Sequence, residues 1–167
     1  MCSMQLLSTT HDSSPPVVTA VTDAVLTASR ALVAVAARSL ASIDTEVTLP
    51  QYRALVVLAS GGPQPVGQLA DALGVHASTA TRLCDRLVSK KLVRRTISRD
   101  NRRETTISLS DSGRRIVDEV TAIRRVEIGR IVGRIPAELR GPTVVALSAF
   151  SDAAGEVGDG AWKLGWS

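Results

Sequence analysis

Aromatic residues are scarce in this chain of 167 residues, where phenylalanine, tryptophan and tyrosine together make up 2%. Stacking platforms for single-stranded nucleic acid and aromatic cages for cationic ligands both need several such rings, so the composition disfavours both kinds of site. The apolar fraction of 44% consists mostly of alanine, valine, leucine and isoleucine. Side chains of this kind are typical of helices that pack closely against other helices.

Cysteine is also rare, with Cys2 and Cys84 as the two examples. Cys2 falls in a Ser- and Thr-rich stretch, so a structural disulfide is not expected and a cytoplasmic location is favoured. Cys84 is expected to be a half-buried helix residue, and a redox-sensing role for it is the alternative. His76 has no second histidine or suitable cysteine near it, so neither a metal site nor a cofactor is expected.

Long uncharged apolar runs are missing as well. The start of the chain, "MCSMQLLSTTHDSSPP", lacks the basic segment and apolar run of a signal peptide. Residues 17–41 come nearest to a membrane span, but Asp23, Arg30 and Arg38 interrupt them, so no membrane association is predicted. The chain is not expected to be an enzyme, because the neighbouring Ser78 and His76 do not have the spacing of a nucleophile and its base.

Positive charge, by contrast, is concentrated in the segment "TRLCDRLVSKKLVRRTISRDNRRETTISLS", residues 81–110. Between Arg82 and Arg103, seven arginines and two lysines face two aspartates, which gives +7 in 22 residues. The whole chain carries +4, so the other 145 residues sum to −3. A local excess of this kind indicates a binding surface for an acidic partner, and a merely solvated charged face is the alternative.

Apolar periodicity predicts helices around this segment. One long helix is expected from residue 17 to about residue 42, with more apolar surface than one small domain covers, which suggests a dimer seam. Thr48 with Gln51 is a capping-box pattern at the start of the next helix. Ser110 is expected to cap a helix that runs to about Arg134. A last helix is predicted from about Thr143, since the preceding Gly and Pro delay its first turn.

Between these helices lies a short helix, "VGQLADALG", then a glycine turn and a second helix, "ASTATRLCDRLVSKKL". The β-branched segments "LVRRTIS" and "TTISLS" follow, separated by polar residues, which predicts a β-hairpin. This order is the plan of a winged helix-turn-helix, whose second helix enters the DNA major groove. The predicted fold class is therefore mainly α with a small β-hairpin wing, a winged helix-turn-helix lobe joined to a helical dimerisation stem.

The predicted organisation has four parts: a disordered tail over residues 1–14, a helical dimerisation region over 15–45 and 111–158, a winged helix-turn-helix DNA-binding domain over 46–110, and a second tail over 159–167. Three groups of side chains are predicted to contact double-stranded DNA. The base contacts are Ser78, Thr79, Thr81 and Arg82. The phosphate contacts are Arg86, Lys90, Arg94, Arg95 and His76. The contacts of the wing with the minor groove are Arg99, Asp100, Arg102 and Arg103.

The segments "TLPQYRALVVLAS", "QLADALGVHASTATRLCDRLVSKKLVRR" and "RDNRRETTISLSDSG" resemble the multiple antibiotic resistance regulator (MarR) family of bacterial transcription factors. The resemblance implies an obligate dimer on a pseudo-palindromic operator, and a wing pair of Asp100 and Arg102 with the arginine in the minor groove. It also implies a ligand cleft between the dimer stem and the DNA-binding lobe. Two positions depart from the family pattern: Ser110 stands where threonine is usual, and His76 where a serine or threonine cap is common.

The expected function is that of a homodimeric, sequence-specific DNA-binding transcription regulator, a repressor released by a small-molecule ligand. A small apolar or aromatic acid is the expected effector, with Arg30, Arg38 and Tyr52 as polar contacts in the cleft. A non-specific architectural DNA-binding protein is the alternative, since it would keep the arginines without needing hydroxyl groups that face the groove.

Overall fold

A computed structural model describes residues 16–43, 46–97 and 105–156; both predicted tails lie outside these ranges. The described residues are mainly helical with one small sheet, which confirms the predicted fold class. In chain order the elements are α1 (Pro16–Ala41), α2 (Leu49–Gly61), β1 (Gln64–Pro65), α3 (Val66–Leu73), α4 (Ala77–Ser89), β2 (Val93–Ile97), β3 (Thr105–Leu109), α5 (Asp111–Val132) and α6 (Ala137–Ala153).

The long helix predicted at the N-terminal end is present as α1. The chain divides into two compact units within this helix. The first unit ends at Ala34 and the second begins at Val35. In the first unit the apolar side chains of Val17, Val21 and Leu26 are all more than half exposed. Among the described residues, nothing covers these apolar side chains.

The second unit has one continuous hydrophobic core, to which α2, α3, α4, β3 and α5 all contribute. Its largest fully buried apolar side chains are Leu55, Leu58, Leu69, Leu87, Ile107, Val117, Val120 and Val35. Because one core joins the short helices, the sheet and α5, the position of α4 is set by packing from several directions.

The sheet is antiparallel with the strand order β1-β3-β2. In the β2–β3 hairpin, Val93 lies opposite Leu109 and Arg95 opposite Ile107, as the predicted wing requires. The two-residue strand β1 was not predicted, because Gln64 and Pro65 are too few to show an alternating pattern. Its pairing depends on the presence of β3 alongside.

The start of α6 corrects one prediction. This helix begins at Ala137 directly after Pro136, six residues before the expected start at Thr143, and it contains Pro142. Pro142 is the sixth residue of α6, so it removes the intrahelical bond to the carbonyl of Glu138, and the helix continues past it. Arg140 also ties the beginning of α6 to the end of α5, donating to the carbonyl oxygens of Gly133 and Ile135 at 3.0 Å each.

The C-terminal end of α4 closes with two backbone hydrogen bonds that form a Schellman motif. The N–H of Leu92 donates to the carbonyl of Leu87 at 3.0 Å, and that of Lys91 to the carbonyl of Val88 at 2.8 Å. Lys91 has a φ of 59°, in the left-handed region that glycine usually occupies in this motif. The turn out of α4 therefore holds a lysine in a strained backbone conformation.

Replacing Lys91 by glycine is expected to stabilise the protein. The left-handed conformation costs a residue with a β-carbon about 1–2 kcal/mol, and the extra freedom of glycine in the unfolded chain offsets about 0.5–1 kcal/mol of that gain. Lys91→Gly should therefore raise the free energy of unfolding by up to about 1.5 kcal/mol, measured by urea denaturation at one fixed protein concentration.

Lys90→Gly is the matched control, because Lys90 has a right-handed helical conformation and no strain to relieve. It should lower the free energy of unfolding, both through glycine's chain entropy and through loss of the contacts of the ammonium group. A Lys91→Gly variant destabilised to the same extent as Lys90→Gly would show that the backbone at Lys91 is not strained.

Candidate nucleic-acid interface

The helix α4 is amphipathic along its whole length. Ala80, Cys84 and Leu87 on its inner face are completely buried. The four predicted base-contacting side chains all lie on the exposed side, in the first two turns of the helix: Ser78, Thr79, Thr81 and Arg82. An exposed polar surface at the N-terminal end of the second helix is the part of a helix-turn-helix that reaches base edges.

His76 is the N-cap of α4. Its Nδ1 accepts a hydrogen bond from the backbone N–H of Ser78 at 3.3 Å and lies 2.9 Å from Ser78 Oγ. An imidazole nitrogen that carries no proton can accept such a bond, so Nδ1 is the capping atom. The histidine therefore caps α4, and its other ring nitrogen, Nε2, lies on an exposed side chain.

Arg82 and Arg86 lie one helical turn apart on α4, beside the N-terminal end of α2. Together they line an open cavity of about 300 Å³, whose other lining residues are Thr48, Pro50, Gln51, Thr79 and Leu83. Neither arginine forms an ion pair with any residue that the structure describes. The positive end of the α2 dipole adds to their charge, so this part of the surface favours anions.

The other predicted phosphate contacts have partners within the protein. The ammonium group of Lys90 donates to the backbone carbonyl of Glu46 at 2.5 Å. Arg94 pairs with Asp111 at 3.2 Å, and Arg95 with Asp85 at 2.7 Å. The two neighbouring arginines reach different helices because successive side chains of a strand point to opposite faces.

These ion pairs are exposed, and exposed pairs contribute little to stability. The Arg94 side chain is 66% exposed, so a DNA phosphate has access to its guanidinium group. Phosphate contact by Lys90, Arg94 and Arg95 stays a prediction, and each contact would compete with an existing partner. Arg82 and Arg86 have no such competition among the described residues.

The predicted wing-tip residues lie outside the described residues, namely Arg99, Asp100, Arg102 and Arg103. The strands β2 and β3 that lead into and out of this segment are described, and they pair from Val93 to Ile97 and from Thr105 to Leu109. The two strands of the predicted wing are therefore present and paired.

The three residues proposed for a ligand cleft have different surroundings. Arg30 is exposed in the first unit. In the second unit, Arg38 pairs with Glu127 at 2.8 Å, and Tyr52 is 3% exposed with its hydroxyl 3.5 Å from Thr121 Oγ1. Tyr52 thus contributes its ring to the core, and its hydroxyl is the part left for a polar contact.

The buried position of Cys84 disfavours the redox alternative. Its side chain is fully buried, rather than half-buried as expected. Burial raises the pKa of the Cys84 thiol, and the nearby charge of Arg95 only partly opposes this effect. A protonated, inaccessible thiol reacts slowly with oxidants.

The described residues also bear on two other kinds of site, a membrane span and a metal centre. By length and composition alone, Val17–Ala41 of α1 is apolar enough to cross a membrane, but Val35, Ser39 and Leu40 near its end are buried in the second unit. Among the described residues no group of three histidine, cysteine or acidic side chains is placed to hold a metal ion.

The sequence did not reveal that the start of α2 adjoins the arginines of α4. Gln51 accepts a hydrogen bond from the backbone N–H of Thr48 at 3.1 Å, which supports the helix start beside the cavity. About thirty residues separate Thr48 from Arg82 in the chain. No local pattern reports a contact over such a separation, although the capping box itself was recognisable.

Comparison with known proteins agrees with this geometry. Residues 47–105 match the sequence model of the MarR family. The crystal structure of RV1404 from Mycobacterium tuberculosis is 43% identical, with a TM-score of 0.80 over 87% of this chain and 99% of that one. A MarR family protein from Bacillus stearothermophilus, 23% identical, shares the fold with a TM-score of 0.74 over 84% of this chain and 96% of that one.

Curated sequences give shorter matches. The transcriptional repressor MdtR from Bacillus subtilis is 33% identical over 92 residues, which is 55% of this chain and 59% of that protein. The chain spans about half the length of the curated relatives that it matches, from 44% to 59%. The family model, the winged helix-turn-helix geometry and the 43% identity to RV1404 agree, and the chain belongs to the MarR family of transcription regulators.

Proposed function

We propose that the protein is a homodimeric, sequence-specific DNA-binding transcription regulator that acts as a repressor. The observation that carries this proposal is the exposed N-terminal half of α4. There, hydroxyl side chains lie next to Arg82 and Arg86, two arginines with no ion-pair partner among the described residues. Hydroxyl and guanidinium groups suit base edges and phosphates respectively, and the major groove admits a helix of this kind.

In the proposed complex α4 lies in the major groove. Ser78, Thr79, Thr81 and Arg82 face the base edges, and Arg86 reaches a flanking phosphate. The Nε2–H of His76 donates to another phosphate, because Nδ1 is occupied by the helix cap. The cavity between the start of α2 and the two arginines supplies a further electropositive position along the DNA backbone.

The hairpin supplies the proposed minor-groove contact. The ion pair of Arg95 with Asp85 holds strand β2 beside α4. In the proposed complex the wing therefore approaches the DNA on that side of α4. Arg102 is proposed to enter the minor groove, with Asp100 holding its guanidinium group by a charge-assisted hydrogen bond. Arg99 and Arg103 add positive charge on either side.

Dimerisation is proposed to bury the apolar surface that the protomer leaves exposed. In α6, Val144, Val145, Leu147 and Phe150 are each more than half exposed, and in α1 so are Val17, Val18, Val21, Leu26 and Val33. Monomeric proteins rarely show so many large apolar side chains on successive helical turns. A two-fold dimer would place two α4 helices about 34 Å apart, one turn of DNA.

Release by a small apolar or aromatic acid is the proposed regulation, with Arg30, Arg38 and Tyr52 as polar contacts. Such a ligand would lower DNA affinity by binding better to a dimer whose α4 helices have another spacing. The repressor assignment is supported by MdtR, which is named a transcriptional repressor. A cytoplasmic location follows from a role on chromosomal DNA.

Replacing Arg82 by alanine tests the recognition surface. If Arg82 contacts a guanine, Arg82→Ala should cost about 1–3 kcal/mol of binding to the preferred DNA sequence and should relax the choice of base at one position. Binding should be measured by fluorescence anisotropy on a duplex that the wild-type protein selects from random DNA, with a scrambled duplex of equal length alongside.

Arg53→Ala removes the same charge from a different surface, where Arg53 pairs with Glu156 beyond the end of α6. This control should bind both duplexes as the wild type does. Equal losses on the selected and scrambled duplexes for Arg82→Ala would make Arg82 a phosphate contact and would favour the architectural alternative.

Replacing Phe150 by glutamate tests the proposed dimer. Phe150 is 51% exposed in the protomer, so a charge there is tolerated in a monomer but not in an apolar interface. Phe150→Glu should shift the mass measured by light scattering from dimer to monomer. Ala72→Glu, on the exposed side of α3, should leave the mass unchanged. A Phe150→Glu protein that stays fully dimeric would exclude α6 from the interface.

A further inference from the structure

The segment Leu109-Ser110-x-x-Gly113 has no role in the DNA contacts proposed above, yet its Ser110 and Gly113 are buried and Ser110 forms several hydrogen bonds. Ser110 Oγ donates to the carbonyl of Lys91 at 2.8 Å and accepts from the N–H of Gly113 at 3.0 Å. The N–H of Ser110 donates to the carbonyl of Leu92 at 3.1 Å. One serine thus caps α5 and also holds the turn that ends α4.

Gly113 brings the same two segments into close contact. A β-carbon at this position would lie 2.2 Å from the carbonyl oxygen of Leu92 and 2.8 Å from Leu109 Cδ1. These distances are far below any van der Waals contact, so the first turn of α5 approaches the end of α4 as closely as its backbone permits. Leu92 is itself buried at 6% exposure.

The turn that Ser110 holds contains the strained backbone of Lys91 at the end of α4. The carbonyl that accepts from Ser110 Oγ belongs to Lys91, the residue with the left-handed backbone. A hydrogen bond at that carbonyl opposes relaxation of Lys91 to an ordinary conformation, which would change the direction in which the chain leaves α4. The two bonds from Ser110 to Lys91 and Leu92 and the close contact of Gly113 together join the end of α4 to the start of α5. We name this group, Lys91, Leu92, Ser110 and Gly113, the α4–α5 junction.

The junction lies at the opposite end of α4 from the base-facing residues, so it adds to the core packing in setting the tilt of this helix. Ser78 lies 13 residues before Lys91, which is about 20 Å along a helix. A tilt of about 10° at the junction would therefore move the base-facing end of α4 by about 3 Å. Hydrogen bonds hold over donor–acceptor distances of only about 2.7–3.2 Å, so such a shift would break every base contact.

We propose that Ser110 is a positioning residue for DNA recognition: without touching DNA, its hydroxyl locks α4 to α5 and so determines sequence specificity. This inference rests on the proposed function. Phosphate contacts are made by long, flexible arginine and lysine side chains that adjust to a small tilt, whereas base contacts do not. Loss of the hydrogen bond from Ser110 to Lys91 should therefore reduce specific DNA binding far more than non-specific DNA binding.

The two functions of the Ser110 hydroxyl can be separated chemically. Aspartate is a good N-cap and accepts from the N–H of Gly113, but an ionised carboxylate has no proton to donate to the carbonyl of Lys91. Threonine retains both functions. Ser112→Asp places the same charge in the same turn without touching the junction, since the Ser112 hydroxyl contacts only Arg115 among the bonds described.

The experiment compares the full-length wild type with Ser110→Asp, Ser110→Thr and Ser112→Asp. Each protein is titrated by fluorescence anisotropy against the duplex that the wild type selects from random DNA and against its scrambled counterpart. Ser110→Asp should bind the selected duplex at least tenfold more weakly than Ser112→Asp. On the scrambled duplex the two variants should agree within about twofold, and Ser110→Thr should match the wild type on both.

Three results would overturn the inference. In the first, Ser110→Asp binds both duplexes as Ser112→Asp does. In the second, Ser110→Asp loses affinity equally for both duplexes. In the third, Ser110→Thr does not restore specific binding. If Ser110→Asp does not fold, Ser110→Ala takes its place with Ser112→Ala as control and the same criteria apply. A wild-type protein that selects no sequence would instead refute the proposed function itself, a result visible before any variant is made.

Discussion

Three side chains on the inner face of α4, Ala80, Cys84 and Leu87, are completely buried, and their burial fixes the rotation of the helix about its axis. Burying one leucine contributes about 1.5–3 kcal/mol. Half a turn of rotation would expose Cys84 and Leu87 and would drive Arg82 and Arg86 into the core, where unpaired charge is far more costly still. Packing inside the lobe is therefore what presents the polar face of α4 to solvent, and the candidate interface follows from it.

Within the basic segment, some positive side chains have partners inside the protein and others have no ion-pair partner among the described residues. The arginines of β2 are each paired with an aspartate, and Lys90 is tied to the loop before α2. Arg82 and Arg86 have no ion-pair partner among the described residues and lie beside the positive end of a helix dipole. The positive charge of this segment is therefore of two kinds. Part of it is paired with aspartates of α4 and α5, and part of it is available to an anion.

Much of this arrangement was predictable from the sequence. The helix periods, the Gly74 turn and the β-branched hairpin determined the fold class, and spacing alone placed Ser78 and Arg82 on the exposed side of α4. What the sequence could not supply were contacts between residues far apart in the chain. The Arg95–Asp85 pair, the cavity beside Thr48 and the pairing of β1 with β3 all depend on the packed lobe.

Two differences from the predictions have local causes. The start of α6 was placed too late because Pro142 was taken as a helix breaker, whereas a proline in the second turn removes a single hydrogen bond. Cys84 was expected to be half-buried, but it lies one turn after Ala80 and one turn before Leu87, in the centre of the inner face. The small side chain at this position allows α4 to approach the core.

The most direct test of sequence-specific DNA binding is selection of duplexes from random DNA by the wild-type protein, followed by anisotropy titrations of the enriched and scrambled duplexes over a range of salt concentrations. We predict a two-fold symmetric sequence with half-sites about one DNA turn apart, and affinity about a thousandfold or more above that for scrambled DNA. Affinity for both duplexes should fall steeply with salt. Enrichment of no sequence, with equal affinity for both duplexes, would contradict the account.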